Sequence, residues 1–291
     1  MTGFTRRQDL RRLSVSPLRY PGGKGSLLST LRALVRSNRP SNTTYVEPYA
    51  GGAGAALGLL ASGEVKRIVI NDLDPAVYAF WRAATQEPKA FSALVKNATL
   101  NVEEWERQKE VYLTVQDDFL KLGFATFYLN RTNRSGVLNG GPIGGKDQSG
   151  NYKIDARFNK NALGERLRII DLYSKYITVS NVDGLDVIRE YARQSNTFIY
   201  ADPPYFEKAG SLYLNAFDES DHIALANCLN KHSESMWVLT YDNVPQVARL
   251  YEQRRRNVFA LNYSAHRVVK ANEIMVFSDA VSVPEVQESL F

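Results

Sequence analysis

The 291-residue sequence has one cysteine, three histidines, three methionines and three tryptophans. A lone thiol, Cys228, excludes an intramolecular disulfide and fits a reducing compartment. His222, His232 and His266 show no metal-ligand spacing and read as ordinary surface histidines, so no metal is expected. The best apolar run, Ala53–Ala61, is broken by glycine and far short of the roughly 18 residues of a membrane helix, which speaks against a membrane partner. The N-terminal arginines Arg6, Arg7, Arg11 and Arg12 are followed by no apolar stretch of the kind a secretory leader needs. Internal repeats and low-complexity tracts are missing too. These absences lead to the expectation of a cytosolic globular protein, near the upper size for one domain or at two small ones.

Charge of one sign is also scarce, except in one place. The net charge is +5 over the chain. Between Lys121 and Ile170, however, nine basic residues face three acidic ones, an excess larger than that of the whole chain. A polyanionic partner is expected there.

A strand–turn–helix–strand rhythm starts at Thr44–Val46, passes through Glu47-Pro48-Tyr49-Ala50-Gly51-Gly52-Ala53-Gly54 into an apolar helix, and reaches a second strand at Arg67–Ile70. Such a βαβ unit implies a parallel sheet covered by helices. Pro75–Thr85 reads as the next helix, capped by Asp74. The rhythm breaks between residues 86 and 165, where helical stretches around Phe91–Val95 and Val102–Tyr112 precede a Gly-, Asn- and Arg-rich loop from Asn130 to Gly150. Loops of that length usually bind something or stay disordered. Strands resume at Ile177–Val179, Thr197–Tyr200 and Trp237–Thr240, and Asn257–Leu261 with Glu273–Phe277 reads as an antiparallel hairpin.

Three segments could carry chemistry. The glycines Gly51, Gly52 and Gly54 lie between a strand and a helix, where a ligand can approach the backbone. The turn lacks the third glycine of a dinucleotide fingerprint, since Leu57 stands there, and helix–sheet packing explains it equally well. Asp72 ends the next strand, where a carboxylate can accept from both hydroxyls of a ribose or simply charge a helix start. Arg19-Tyr20-Pro21-Gly22-Gly23-Lys24 is no P-loop, because Gly25 follows Lys24. It reads as a turn, or as a cap that sets Lys24 against a carboxylate.

Asp202-Pro203-Pro204-Tyr205 follows an apolar strand directly. The prolines remove two donors and leave carbonyls that can only accept. A carboxylate beside such a carbonyl is complementary to an NH2 group, and holding both of its hydrogens turns the nitrogen lone pair outward. Tyr205 adds a flat face on which a base can stack.

These segments resemble the Dam-like adenine-N6 DNA methyltransferases, whose motifs run in the order cofactor region, target recognition, catalytic tetrapeptide. The resemblance spans about Pro17 to Ser278 and rests on Arg19–Lys24, Val46–Gly54, Asn71–Asp74, Tyr128–Arg131, Tyr152–Lys160, Asp202–Tyr205 and Leu239–Asn243. It implies an α/β fold: a Rossmann-like methyltransferase sheet from residues 1–85 and 166–291, with a mostly helical and loop target-recognition domain, 86–165, inserted. It also implies S-adenosylmethionine as cofactor, held by Tyr20, Lys24, Glu47, Gly51, Gly52, Gly54, Asp72 and Asp202, with Asp183 near the adenine ring. Asp202, Pro203, Pro204 and Tyr205 would hold a flipped adenine of double-stranded DNA. Arg131, Asn133, Arg134, Ser135, Lys153, Arg157 and Lys160 would face the DNA. Where the best-known members carry an aromatic and an asparagine after the Asn-Arg pair, this sequence has Arg134 and Ser135, so their target site does not transfer. The competing readings are a cytosine-N4 methyltransferase and an inactive DNA-binding subunit of the same fold. A companion restriction enzyme stays open, and Cys228 is read as structural.

Overall fold

A computed structural model describes residues 16–19, 27–38, 42–206, 217–264 and 268–284. Its frame is a seven-stranded sheet: β1 (Thr44–Glu47), β2 (Arg67–Asn71), β3 (Ile177–Ser180), β4 (Thr197–Ala201), β5 (Trp237–Asp242), β6 (Arg255–Ser264) and β7 (Val268–Phe277). The order is β3-β2-β1-β4-β5-β7-β6. The first five strands are parallel, and β7 pairs antiparallel with both β5 and β6. The expected parallel sheet and terminal hairpin are therefore present, with the hairpin strands longer than the pattern suggested. From β1 the chain builds outward to β3 and then returns to β4 on the other side. That reversal opens a crevice beyond the carboxyl ends of β1 and β4, the usual ligand position in such sheets.

Strand alternation splits the core in two. Tyr45, Phe198, Tyr200 and Val238 face one layer of helices, while Val46, Ile199, Trp237 and Leu239 face the other. The first layer contains α1 (Leu28–Ser37), α2 (Gly54–Ala61), α3 (Pro75–Gln86), α4 (Pro88–Asn97), α5 (Val102–Thr114), α6 (Phe119–Thr132) and α7 (Lys160–Tyr173). Residues of the middle segment share this core: Phe91, Phe124, Phe127 and Phe158 pack with Phe80 and Trp81 of α3. The second layer contains α8 (Gly184–Tyr191), α9 (Glu219–Lys231) and α10 (Pro245–Leu250).

Two expectations change here. The loop does not start at Asn130, because α6 runs to Thr132 and buries both Asn130 and Arg131. Nor is His222 a surface residue. It is 2% exposed, and its Nδ1 lies 2.5 Å from the Tyr241 hydroxyl. Burial lowers its pKa, which suits a neutral imidazole paired with a hydroxyl. Cys228 is buried on α9. No helix among the described residues is long and apolar enough to cross a membrane.

Candidate active site

The crevice is built from the ends of five parallel strands. After β1 the chain turns through Pro48–Ala53 at positive φ for Gly51 (+46°) and Ala53 (+46°). A glycine takes that conformation without steric cost. Three groups fix the turn. The Gly51 amide donates to Asp72 Oδ2 (2.8 Å), Trp81 Nε1 donates to the Gly51 carbonyl (2.8 Å), and Ser16 Oγ donates to the Gly52 carbonyl (2.5 Å). Gly54 then opens α2, and the buried Glu47 carboxylate accepts from the Ala56 amide (3.0 Å) inside its first turn. Burial pushes the Glu47 carboxyl up to about 8, with the Asp202 charge adding to the rise.

Asp72 is half-buried at the end of β2. It accepts from Gly51 through one oxygen and from the Asp74 amide (3.0 Å) through the other. Burial still raises its pKa, to about 6, against the pull of these two donors. Asp74 caps α3 through the Ala76 amide, as its position in the sequence implied. Neighbouring strand ends are locked by Asn71. Its Nδ2 donates to the carbonyls of Pro48 and Val182, and its Oδ1 accepts from Ser180 Oγ and the Val182 amide. Two apolar side chains stay exposed beside Asp72: Leu73 (50%) and Val182 (46%). Asp183 is exposed and caps α8 by accepting from Leu185 N.

Across the crevice, Asp202-Pro203-Pro204-Tyr205 leaves β4 with Asp202 half-buried and Tyr205 buried. Asp202 Oδ1 accepts from Thr240 Oγ1 (2.8 Å), and the Phe206 amide donates to Asp242 Oδ1 (3.0 Å). Both partners come from β5, two residues apart and so on one face. Tyr20 and Lys24 lie outside the described residues.

The middle segment closes over the N-terminal stretch Ser16–Arg19. Asn130 Oδ1 accepts from Arg19 N, and its Nδ2 donates to the carbonyls of Arg19 and Gly136. Arg131 Nε donates to the Pro17 carbonyl (2.6 Å), and Arg166 donates to that of Ser16 (2.8 Å). Asn133 is fully buried; it accepts from Trp105 Nε1 and donates to the carbonyls of Val137 and Leu138. The expectation that Arg131 and Asn133 face DNA is therefore corrected: both are interior braces of the loop. Burial and the nearby arginines Arg166, Arg19 and Arg157 lower the Arg131 pKa to about 9.

Beyond them the loop is ordered by its own bonds, among them Gln148 Nε2 to the carbonyls of Ile143 and Gly145. Ser135 and Gly136 reverse the chain at positive φ (+55° and +77°) and leave Arg134 exposed. Lys153 and Arg157 are exposed, and Lys160 is half-buried at the start of α7. Lys146 is taken up by Glu106 (2.8 Å). Sequence reasoning assigned no role to Trp81, Asn71, Thr240 or Asp242, although the last three lie in segments that carry the resemblance. Trp81 was visible as one of the apolar residues spaced along α3; the others look like ordinary polar strand ends. Among the described residues no group of His, Cys, Asp and Glu could hold a metal ion.

Residues 20–270 match the family model of the D12 class N6 adenine-specific DNA methyltransferases. The chain belongs to that family. It is similar to the type II methyltransferase M.MjaIII of Methanocaldococcus jannaschii, with 26% identity over 265 residues, 82% of this chain and 89% of that protein. The type II methyltransferase M.CviBI of Paramecium bursaria Chlorella virus NC1A is 24% identical over 72% of this chain and 76% of its own length. The modification methylase StsI of Streptococcus sanguinis is 26% identical over 67% of this chain, a match that spans 29% of that longer protein. The chain is thus an adenine-specific DNA methyltransferase with DNA as its substrate, and the parallel sheet with its antiparallel β7 is its α/β scaffold.

Proposed function

We propose that the crevice binds S-adenosylmethionine on the β1–β3 side and a flipped adenine on the β4–β5 side. The observation that carries this reading is the position of Asp202–Tyr205 across the sheet's reversal point from the Gly51–Asp72 turn. The residues fit the cofactor. Asp72 is a half-buried acceptor suited to ribose hydroxyls, and the exposed Leu73 and Val182 offer apolar surface to an adenine ring. Asp183 stands at the ring's edge in this reading, and the methionine part would lie along the turn at Gly51, which carries no side chain. When bound, S-adenosylmethionine supplies a sulfonium methyl for direct transfer. Asp202 and the Pro203 carbonyl would accept the two amine hydrogens and Tyr205 would stack on the base, which turns the N6 lone pair outward. Swinging the base out costs a few kcal/mol, which stacking and edge hydrogen bonds offset.

Residues 86–165 form the target-recognition part. Within it Arg134, Ser135, Lys153, Arg157 and Lys160 are the DNA-facing set, held in place by Asn130, Arg131 and Asn133. Incubation of the purified protein with S-adenosylmethionine and unmethylated genomic DNA, followed by modification-sensitive sequencing, tests the reading. N6-methyladenine at a defined site is expected, and Asp202→Ala should lower turnover by roughly 10²–10³, the cost of losing one preorganised electrostatic group. A folded, cofactor-binding Asp202→Ala variant that keeps most activity overturns the assignment.

A further inference from the structure

Asp202 does not stand alone. Thr240 Oγ1 donates to its Oδ1 at 2.8 Å, and the Tyr200 hydroxyl lies 2.8 Å from Thr240 Oγ1. Thr240 has no exposure and Tyr200 is 3% exposed, so these hydroxyls form a chain inside the core. A hydroxyl has a single proton. With that of Thr240 given to Asp202, the Tyr200 hydroxyl must donate to Thr240. The direction of the chain is thereby fixed, from Tyr200 through Thr240 to the carboxylate.

The placement follows from the sheet. Tyr200 lies two residues before Asp202 on one face of β4, and Thr240 occupies the same face of the neighbouring β5. Two residues further along β5, Asp242 accepts from the Phe206 amide. Strand β5 thus grips the tetrapeptide at both ends, the side chain at its start and the backbone just past its end. Pro203 and Pro204 carry no amide hydrogen and cannot anchor themselves by donating. An aspartate carboxylate turns about a broad, two-fold torsion. The Tyr205 hydroxyl also reaches Oδ1, at 3.5 Å, so the Thr240 bond at 2.8 Å is the shorter of these two that hold the carboxylate's orientation toward the substrate amine.

We infer that Thr240, oriented by Tyr200, is a positioning residue for methyl transfer: it holds Asp202 Oδ1 and so sets the carboxylate toward the adenine amine. The inference rests on the proposed role of Asp202. The two hydroxyls touch no substrate and act through the carboxylate alone.

The test compares Thr240→Val, Thr240→Ser and Tyr200→Phe with the wild type in single-turnover methylation of duplex DNA, with duplex affinity measured beside it. Thr240→Val is expected to lower the rate at least about tenfold while duplex affinity is unchanged. Thr240→Ser restores the rate. Tyr200→Phe gives a smaller loss in the same direction and stays informative even where Thr240→Val folds poorly. In the double variant, Tyr200→Phe adds nothing further, because its effect passes through Thr240. Equal impairment of the valine and serine variants would assign Thr240 to packing and overturn the inference. So would a folded valine variant with an unchanged rate. If Asp202→Ala itself kept activity, the role of Asp202 would fail first; an inactive Asp202→Ala beside a fully active Thr240→Val would sink only the positioning role.

Discussion

Asn130 holds the backbone of Arg19 from both sides, accepting from its amide and donating to its carbonyl, each at 2.7 Å, across 111 residues of sequence. The same amide donates to Gly136 O, so one side chain joins the N-terminal stretch, α6 and the turn that presents Arg134. Ser16, three residues earlier, reaches the glycine turn of the crevice. The proposed recognition loop and the proposed cofactor turn thus hang on one short strap. Asn130→Ala removes three hydrogen bonds at about 1 kcal/mol each and strands polar backbone groups. A loss of about 2–4 kcal/mol in chemical denaturation is expected, together with weaker DNA binding. An unchanged denaturation midpoint would show the strap to be dispensable.

Glu47 leads to a pH prediction for stability. Its carboxyl titrates near 8 in the folded protein, well above the usual 4.5, because it is buried. The folded state therefore holds a proton that the unfolded chain has released between those values. Stability from this group is complete below about pH 4.5 and is lost as pH rises through about 8. Glu47→Gln keeps an acceptor for the Ala56 amide and cannot ionise. Thermal melts from pH 5 to 8.5 should show the wild type losing ground to the variant as pH rises. Parallel curves would mean that Glu47 stays ionised throughout.

Asp72 makes the complementary prediction for binding. In the proposed reading the ribose acceptor is the carboxylate, and burial places its titration near pH 6. Affinity for S-adenosylmethionine should be constant above about pH 7 and fall below 6, approaching tenfold per pH unit. Asp72→Ala should bind weakly at all pH values, with the fold intact. Calorimetry from pH 5 to 8 decides it: a flat wild-type profile leaves Asp72 as a brace for Gly51 only.

What could be read from the sequence, and what could not, follows from packing. Strand β4 is apolar on both faces and ends at two prolines, so its end and the tetrapeptide beyond it are unambiguous. The β1 turn and Asp74 were equally plain, because glycine and cap chemistry are local. Helix α6 was not, since eleven of its fourteen residues are buried and no polar face reveals its period. For the same reason Asn130, Arg131 and Asn133 looked like loop polar groups, although their partners lie in the interior. His222 hid in the same way, since its partner Tyr241 comes from another strand. Thr240 and Asp242 acquire meaning only once β5 is paired beside β4.

In the proposed reading the loop would separate readers of base from readers of phosphate. Arg134 leaves the loop at the reversal formed by Ser135 and Gly136, is exposed, and donates only weakly through Nε, to Pro142 O at 3.4 Å. Its guanidinium has the planar fork that pairs with guanine in the major groove. Lys160 begins α7, on a helix packed against α4 and fixed by the Asn159 cap, and a lysine there acts as a point charge. The two should differ in kind. Lys160→Ala is expected to weaken cognate and scrambled duplexes alike and to flatten the log–log salt dependence by about one unit. Arg134→Ala should cost roughly 1–3 kcal/mol on the cognate site and little on the scrambled one, which relaxes discrimination at one base pair. Filter binding of both variants to both duplexes across a salt series measures this. Equal weakening of the two duplexes by Arg134→Ala would make the loop an electrostatic clamp, and the guanine reader would have to be sought elsewhere.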